Sequence, residues 1–455
     1  MIPMTLAEIA AVVDGQVHGD QSLTVSGPAY LDSREPVADG LFVAIAGERV
    51  DGHEYAEGAY AVLGSRPTPA PTIVVADPVV AMGRLARHVV DRLDLTVLAL
   101  TGSQGKTGTK DYLAAVLAGV GPTVATAGNL NNEYGVPITA LRADYKTAYL
   151  VVEMGARGIG QVRYLCEIAP PSIAAVTNVG TAHIGEFGSR EAIATAKGEI
   201  VEALPAEGTA VLNADDELTA AMADLTSARS LTFGERGDVA WRGVRLDDLG
   251  RPSFELGYDG TWHPVTLTQS GRHQVGNAAA AAAMAVAVDV PFATVVESLA
   301  SAVPASRWRM EMHERPDGLL VVNDAYNANP ASMVAALDAL AGIGTRSGRR
   351  TVAVLGEMLE LGEGAHESHR EVGRAAAELG IDVVVVVGEA ARGIAEGVDG
   401  DSWQGTAVVT AGRDQALEWV RKNVAAEDVV LVKASRGVAL EVLADELLRG
   451  GIGAP

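Results

Sequence analysis

Short runs of apolar residues alternate along the chain with longer stretches in which apolar residues recur every three or four positions. Residues 95–100 (Leu-Thr-Val-Leu-Ala-Leu) have the pattern of a buried strand, and residues 111–117 have that of a helix. Further buried-strand patterns lie at 148–153, 173–177 and 209–213, with helical patterns between them. This alternation predicts an α/β fold with a mostly parallel, doubly wound sheet that is covered by helices.

The segments on either side of this alternation have patterns of their own. Short β-type runs at 41–45 and 72–75 precede a helical pattern at 78–93. Residues 231–269 contain short alternating segments, which predict a small antiparallel patch, and a long helix is expected at 274–288.

Beyond residue 305, strands and helices alternate again, which predicts a second α/β domain of the Rossmann type. The predicted strands are 319–322, 351–355, 383–387 and 429–432, and the predicted helices are 332–341, 366–379, 414–423 and 438–449.

Three domains follow from these patterns. We expect a small α/β N-terminal domain at 1–94 and a central doubly wound domain at 95–304, which includes the antiparallel patch. A C-terminal Rossmann-like α/β domain is expected at 305–455, and its glycine-rich end at 450–455 is expected to be a frayed tail.

Composition and charge narrow the expected partners. The 455 residues include 35 basic and 58 acidic side chains, for a formal net charge of −23, so nothing favours general binding of nucleic acid or an anionic membrane. Cys166 is the single cysteine, which excludes an intrachain disulfide and a cysteine-based zinc site. The first residues lack the pattern of a signal peptide, and the alanine-rich stretch 275–290 is too short and too weakly apolar to span a bilayer. We therefore expect a soluble cytoplasmic protein.

A glycine-rich loop between the first predicted strand and the helix after it carries the clearest chemical signal. Residues 101–110 read Thr-Gly-Ser-Gln-Gly-Lys-Thr-Gly-Thr-Lys, and a strand–loop–helix of this kind cradles phosphate between backbone N–H groups and a helix N-terminus. Lys106 would reach the β- and γ-phosphates, and the Thr107 hydroxyl would ligate Mg²⁺. Leu100 stands where the strict Walker pattern has glycine, so the loop is a P-loop variant. The nucleotide-binding candidates in it are Gly102, Ser103, Gln104, Gly105, Lys106, Thr107 and Gly108.

The alternative for this loop is a glycine-rich turn without a ligand, which the flanking strand and helix disfavour. Three other side chains have patterns that leave their roles open. Glu153 ends a predicted strand, where an acid in an open α/β sheet meets the ligand crevice and suits Mg²⁺, although a surface glutamate is the alternative. His183 follows another strand, but a lone histidine is more often structural, and Lys197 has the pattern of a solvated helix lysine.

Five segments resemble the Mur ligase superfamily, the ATP-dependent amide ligases that build the peptidoglycan stem peptide. The segments are 101–110, 128–137, 177–199, 271–277 and 324–330. The first domain adds Asp32-Ser33-Arg34 and Asp51-Gly52-His53, which are similar to the uridine-nucleotide-binding end of these enzymes. The resemblance thus covers essentially the whole chain. The blocks at 128–137, 326–330 and 355–362 are most similar to the member that adds D-alanyl-D-alanine.

This resemblance implies a reaction. ATP would phosphorylate the terminal carboxylate of UDP-N-acetylmuramoyl-tripeptide, and the amine of D-alanyl-D-alanine would attack the acyl phosphate to give an amide, ADP and phosphate. It also implies two Mg²⁺ ions, a monomer, and domains that close around the bound nucleotide.

The resemblance implies roles for particular residues as well. Thr107 and Glu153 would hold one Mg²⁺ and His183 a second, and Lys197 would be carbamylated, which places a carboxylate-like anion at the metal site. The catalytic candidates are Lys106, Glu153, His183 and Lys197. The implied nucleotide contacts outside the loop are Asn277, Arg307, Asp324 and Asn327, and the implied substrate contacts are Ser33, Arg34, Asn129, Asn131 and Asn132.

Some positions depart from the family pattern. Gly108 replaces a usual threonine, and Gln274 stands where asparagine is frequent. Asp324 lacks the usual neighbouring Asp or Ser and has Asn323 and Ala325 beside it instead. Glu186 lies three residues after His183 and receives no metal role.

Three other identities stay open at this point. The first is a non-ligase P-loop nucleotide-binding protein. One of the nucleotide-switch type would need a guanine-reading Asn-Lys-x-Asp motif, which is absent, and simple ATP binding would not need His183, Lys197 and a second α/β domain together. Folylpolyglutamate synthase shares the P-loop and the domain plan but is not expected to carry the Asp-Ser-Arg or Asn-Leu-Asn-Asn blocks. The diaminopimelate- or lysine-adding Mur ligase typically shows Asp-Asn-Pro-Arg, a tetrapeptide that is also absent.

Overall fold

The computed structural model describes residues 1–47, 50–180, 187–303, 305–398 and 403–449. These ranges fold as an α/β protein with two six-stranded, mostly parallel sheets, a five-stranded sheet near the N-terminus and two small antiparallel sheets. The predicted α/β class is therefore confirmed. The predicted tail at 450–455 lies outside the described residues.

The described N-terminal region contains two α-helices and seven short strands, of which five form one sheet and two form a separate pair. Its strands are β1 (Met4–Thr5), β2 (Gln16–His18), β3 (Thr24–Val25), β4 (Ala29–Tyr30), β5 (Leu41–Val43), β6 (Ala61–Gly64) and β7 (Thr72–Val74), and its helices are α1 (Leu6–Val13) and α2 (Pro78–Asp91). β4, β5, β6 and β7 run parallel, while β2 joins β7 antiparallel and β1 pairs with β3. The Thr5 and Glu8 side chains form a capping box that starts α1.

The central sheet carries the glycine-rich loop. Its strands are β8 (Thr96–Thr101), β9 (Thr123–Ala125), β10 (Tyr149–Glu153), β11 (Ile173–Val176), β12 (Thr209–Asn213) and β13 (Arg229–Phe233). All neighbours are parallel, in the order β13-β12-β11-β8-β10-β9. β8 and β10 are buried on both faces, which explains their continuous apolar runs, and their carboxyl ends lie side by side at one edge of the sheet.

Helices cover both faces of this sheet. They are α3 (Lys106–Ala118), α4 (Gly135–Ala140), α5 (Gln161–Ile168), α6 (Arg190–Glu202), α7 (Glu217–Ala220), α8 (Gln274–Val286) and α9 (Phe292–Ser301). The alanine-rich helix α8 packs against α3, because small side chains allow two helix backbones to approach closely. No described helix is long and apolar enough to cross a membrane.

The predicted antiparallel patch is present as a three-stranded sheet. It consists of β14 (Ala240–Leu246), β15 (Pro252–Tyr258) and β16 (Thr261–Thr266). The start of the predicted patch is different, because Leu231 belongs to β13 and pairs parallel with β12. As an edge strand β13 has one neighbour and an exposed start, so its sequence resembles that of a half-buried strand.

The C-terminal sheet has the order β17-β18-β22-β19-β20-β21, with an antiparallel edge at β17. Its strands are β17 (Glu311–Glu314), β18 (Leu320–Asn323), β19 (Thr351–Gly356), β20 (Val383–Val387), β21 (Thr406–Thr410) and β22 (Val429–Lys433). Its helices are α10 (Pro330–Ser347), α11 (Ala365–Glu378), α12 (Gly393–Gly397), α13 (Arg413–Asn423) and α14 (Glu441–Arg449). The four predicted strands lie in the interior of this sheet, and both unpredicted strands lie at its edges. The domain boundaries at 94 and 304 stay predictions.

Candidate functional site

The glycine-rich loop joins the central strand β8 to the N-terminus of α3. Gly102 and Gly105 have φ values of +154° and +78°, in the left-handed region that favours glycine. A Cβ atom on Gly102 would overlap the Thr177 hydroxyl, so this turn needs glycine for space as well. Gly105 caps α3 without a side-chain hydrogen bond, which leaves the N–H groups of the first helical turn available to an anion.

The end of β11 supports this loop. Gln104 donates its backbone N–H to Asn178 Oδ1 at 3.0 Å, and the Thr177 hydroxyl donates to the Gln104 carbonyl at 2.6 Å. Gly180 donates its N–H to the Ser103 hydroxyl at 2.8 Å. These hydrogen bonds prepare the loop conformation before a ligand arrives.

The lysine of the loop is folded over it. Lys106 Nζ donates to the Gly102 carbonyl at 2.7 Å. Enclosure by surrounding protein lowers the pKa of Lys106, Glu153 opposes this shift, and Arg309 lowers the pKa further. An arginine of the C-terminal sheet domain therefore acts electrostatically on the P-loop lysine.

Glu153 connects the P-loop to the loop that contains Asn131. Its buried carboxylate accepts a hydrogen bond from the Thr107 hydroxyl at 2.9 Å and another from Asn131 Nδ2 at 2.8 Å. The Glu153 N–H donates to the Thr126 hydroxyl at 3.0 Å, which fixes the end of β10. Hydroxyl and carboxylate oxygens are ligands that Mg²⁺ prefers, so Thr107 and Glu153 fit one magnesium ion. Among the described residues, no three His, Cys, Asp or Glu side chains converge on a common point.

Lys197 is buried on helix α6, contrary to the solvated position that its sequence pattern indicates. Burial lowers the pKa of Lys197 to about 7, and the positive charge of Lys106 adds to this effect. No described residue forms a hydrogen bond or an ion pair with its amino group. A lysine of this kind is largely neutral at mildly alkaline pH, and the neutral amine is the form that reacts with CO₂.

His183 and Glu186 lie outside the described residues.

Glu199, two residues after Lys197, holds helix α6 against α5. Its buried carboxylate accepts the backbone N–H groups of Gly160 at 2.5 Å and Arg163 at 3.0 Å. Gly160 is the N-cap of α5 and has no side-chain cap of its own, so Glu199 supplies the missing acceptor. This contact lies at the end of the loop 154–160, and that loop begins directly after Glu153.

Asn277 lies against the P-loop from the start of α8. A Cβ atom on Gly108 would lie 2.6 Å from Asn277 Nδ2 and 3.3 Å from Gln274 Oε1, and one on Gly105 would overlap Asn277 Oδ1. Asn277 Nδ2 also donates to Gln274 Oε1 at 2.9 Å. The absence of a side chain at Gly108 therefore makes room for the amide pair of Gln274 and Asn277.

The C-terminal sheet presents Asp324 directly after β18. The Asp324 carboxylate forms an ion pair with Lys433 Nζ at 2.6 Å and accepts the Met310 N–H at 3.0 Å. Lys433 also donates to the carbonyl oxygen of Asn327 at 2.9 Å, while the rest of Asn327 is exposed. The structure thus brings together Asp324 and Asn327, two of the residues predicted to contact the nucleotide. The buried Lys433 that joins them was not predicted.

Arg309 is partly buried and acts electrostatically on Lys106, whereas its predicted counterpart Arg307 is exposed. The Arg309 guanidinium stacks 4.3 Å from the centre of the Tyr326 ring, and its Nε atom is buried without a hydrogen-bond partner among the described residues. The Tyr326 hydroxyl in turn lies beside Gly128, at the start of the Asn-rich loop. Arg309 is therefore a functional candidate that the sequence patterns did not single out.

The predicted substrate residues lie in two places. Asn129 and Asn132 are exposed, and Asn132 Oδ1 accepts the Gly135 N–H at 3.1 Å at the start of α4. Ser33 and Arg34 lie in the N-terminal sheet region, where the exposed Arg34 pairs with Asp32 at 2.6 Å. No described hydrogen bond or ion pair joins these two residues to the P-loop, and their roles stay predictions.

The fold and the site define a P-loop nucleotide-binding enzyme in which a second α/β sheet adds charged residues to the cradle. Residues 100–285 match the family model described as the Mur ligase middle domain, and residues 308–436 match the one described as the Mur ligase, glutamate ligase domain. The chain belongs to the Mur ligase family, which confirms the resemblance seen in its sequence.

Particular relatives are similar over nearly the whole chain. UDP-N-acetylmuramoyl-tripeptide–D-alanyl-D-alanine ligase of Mycobacterium tuberculosis is 44% identical, over 98% of this chain and 98% of the relative. A crystal structure of MurF from Acinetobacter baumannii has a TM-score of 0.87 at 33% identity, over 98% of this chain and 99% of that one. MurF ligase of Thermotoga maritima, solved in complex with ADP, has a TM-score of 0.77 at 30% identity, over 93% and 97%.

Proposed function

We infer that the protein is an ATP-dependent ligase that joins D-alanyl-D-alanine to UDP-N-acetylmuramoyl-tripeptide, with release of ADP and phosphate. The observation that carries this inference is the 44% identity to a ligase of that name over 98% of both chains. The convergence of Lys106, Thr107 and Glu153 at the P-loop provides the chemistry such a ligase needs.

The reaction must activate a carboxylate, which is a poor electrophile. An oxygen of the substrate carboxylate attacks the γ-phosphorus of ATP, the bond from that phosphorus to ADP breaks, and an acyl phosphate forms. The amine of D-alanyl-D-alanine then attacks the acyl carbon. The tetrahedral intermediate collapses to the amide, phosphate leaves with the C–O electron pair, and the amine nitrogen loses a proton.

Positive charge is needed because two anions must meet in the first step. Lys106 is held over the loop and can turn from the Gly102 carbonyl to a phosphate oxygen. We propose that Arg309 donates its unpaired Nε–H to the transferred phosphoryl group, in the role first predicted for Arg307. Asp324, fixed by Lys433, would accept a hydrogen bond from the ATP ribose.

Magnesium is part of this proposal. Thr107 and Glu153 would hold one Mg²⁺, and a carbamylated Lys197 and His183 would belong to the site of a second. Bound Mg²⁺ would neutralise phosphate charge. The lowered pKa of Lys197 favours carbamylation, since the amine must lose its proton before it reacts with CO₂.

The remaining expectations are proposals as well. We propose a monomer that works in the cytoplasm, where ATP and UDP-linked precursors are found. We also propose domains at 1–94, 95–304 and 305–455, with Ser33, Arg34, Asn129, Asn131 and Asn132 at the UDP-tripeptide.

The test is an ADP-release assay with UDP-N-acetylmuramoyl-tripeptide and a panel of amines. ADP should appear only when both this substrate and D-alanyl-D-alanine are present. Turnover with diaminopimelate, lysine or glutamate, and none with D-alanyl-D-alanine, would overturn the assignment.

A further inference from the structure

A buried ion pair behind the nucleotide cradle has no part in the chemistry described so far. Lys110 Nζ lies 2.6 Å from Asp111 Oδ1, and the two side chains are 3% and 5% exposed. Ser306 donates both its backbone N–H and its hydroxyl to the Asp111 carboxylate, at 3.1 Å each, and accepts from Lys110 Nζ at 3.2 Å. We refer to Lys110, Asp111 and Ser306 as the buried cluster.

The buried cluster joins three parts of the site. Lys110 lies on α3 one turn after Lys106, and its Nζ atom also donates to the Thr126 carbonyl at 2.9 Å. The Thr126 hydroxyl accepts the backbone N–H of Glu153. Ser306 lies between helix α9 and strand β17, three residues before Arg309. One set of hydrogen bonds therefore links the P-loop helix, the strand that ends in Glu153, and the chain that leads to Arg309.

An ion pair at this position fixes the orientation of the connecting segment in addition to packing against it. Charged groups are costly to bury unless hydrogen bonds satisfy them, and apolar side chains of similar volume would fill the same space at less cost. Here the carboxylate holds a backbone amide of the connecting segment, which fixes both the position and the orientation of that segment. Apolar contacts would leave the segment free to slide.

We propose that Lys110, Asp111 and Ser306 are positioning residues of the ligation reaction. Their hydrogen bonds attach the segment before the C-terminal sheet to the P-loop helix and keep Arg309 at a set distance from Lys106. We call this contact the pivot. This inference rests on the proposed function, in which Arg309 meets the transferred phosphoryl group.

The kinetic test uses two variants of the full chain. Asp111→Asn keeps the shape of the side chain and removes its charge, and Ser306→Ala removes one hydroxyl but keeps the ion pair. Both should lower kcat, by about ten- to a hundredfold for Asp111→Asn, because small misplacements of a reacting group have effects of this size. The KM for UDP-tripeptide should change less than about twofold, since Ser33, Arg34 and Asn131 are not part of the buried cluster.

Asp91→Asn, which breaks the exposed Arg87–Asp91 pair on α2, is the matched control and should leave kcat unchanged.

A distance measurement tests the pivot directly. Spin labels at Tyr145→Cys, in the loop before β10, and at Asp414→Cys, on α13, would mark the central and C-terminal parts of the chain at two strongly exposed positions, while the native Cys166 is buried. Double electron–electron resonance should give a narrow distance distribution for the labelled parent protein and a broader one for Ser306→Ala and Asp111→Asn. Should Asp111→Asn fail to fold, Ser306→Ala decides the question alone.

The outcomes separate the pivot from the role of Arg309. A narrow distribution in Ser306→Ala together with parental kcat overturns the pivot, and a broad distribution with parental kcat overturns its link to ligation. If Arg309→Ala keeps full activity, the proposed role of Arg309 is wrong, and the distance distributions still decide whether the pivot exists.

Discussion

A single buried lysine shows how burial changes the chemistry of a residue. Lys197 lies on a helix whose sequence indicates an exposed side chain, yet its pKa is lowered to about 7. If its carbamate completes the metal site, Lys197→Ala should abolish ADP release, and added short carboxylates such as acetate should restore part of it. Unchanged activity in the variant would contradict the carbamate. Lys146→Ala, at an exposed loop lysine, is the control.

The same pKa shift predicts a dependence of stability on pH. Between pH 7 and about 10 the unfolded chain binds a proton at Lys197 that the folded protein does not, so this residue lowers stability progressively as pH falls towards 7. The variant Lys197→Met lacks this titration. In CO₂-free buffer, the free energy of unfolding of the variant minus that of the parent should therefore increase by a few kcal/mol as the pH is lowered from 10 to 7, and it should stay constant below pH 7. Urea unfolding at several pH values measures it. A difference that is independent of pH would show that the lysine is protonated throughout.

Gly108 is important because the absence of a side chain leaves space for Asn277. A methyl group there would lie 2.6 Å from Asn277 Nδ2 and push the amide away from the P-loop. Gly108→Ala should therefore weaken ATP binding about tenfold, as measured by calorimetry. Gly276→Ala, next to Asn277 on α8 and with open space around it, should keep the affinity and add up to about 1 kcal/mol of stability. Equal affinity in both variants would refute the steric argument.

At the scale of elements, helix α5 depends on an acceptor from another helix. Its N-cap Gly160 has no side-chain cap, and Glu199 on α6 takes over that function. Glu199→Ala should lower the free energy of unfolding by about 1–2 kcal/mol through the lost cap. Glu202→Ala, which removes the exposed ion pair with Arg163 on the same helix, should cost at most about 1 kcal/mol. Urea unfolding compares them, and a larger loss for Glu202→Ala would contradict the capping role.

The elements that the sequence predicted correctly share a physical cause. Interior parallel strands such as β8 and β20 are buried on both faces and therefore appear as unbroken apolar runs. The strands β17 and β21 were missed because edge strands are partly exposed and carry polar residues. The P-loop was predictable since its function depends on local sequence.

Other features of the site depend on contacts that no local pattern records. Trp308 and Met310 have positive φ values of 61° and 49°, a backbone geometry that is uncommon for residues other than glycine and that the sequence of this segment does not predict. The burial of Lys197 and the contact of Lys433 with Asp324 come from packing between distant segments. Such features become visible only in the folded chain.

At the scale of the whole molecule, Arg309 from the C-terminal part of the chain acts electrostatically on Lys106 of the P-loop, and in the proposed function it contributes charge to the nucleotide. Arg309→Ala should lower kcat by about a hundredfold or more, as expected for loss of a donor to developing phosphate charge. Arg307→Ala is the matched control, and because Arg307 is exposed its kcat should stay within about threefold of the parent. Steady-state kinetics at saturating ATP measure both. The reverse order of effects would return the phosphate-binding role to Arg307.

The contact between Gly108 and Gln274 also has an evolutionary consequence. The resemblance to the family leads us to expect threonine at the first position and frequently asparagine at the second, whereas this chain has Gly108 and Gln274. A Cβ atom at position 108 would lie 3.3 Å from Gln274 Oε1, so we expect a threonine there to press on this longer amide, and the absence of that side chain leaves room for glutamine. Lineages that carry threonine at the first position are expected to keep the shorter amide at the second, so the two sites should have changed together during descent.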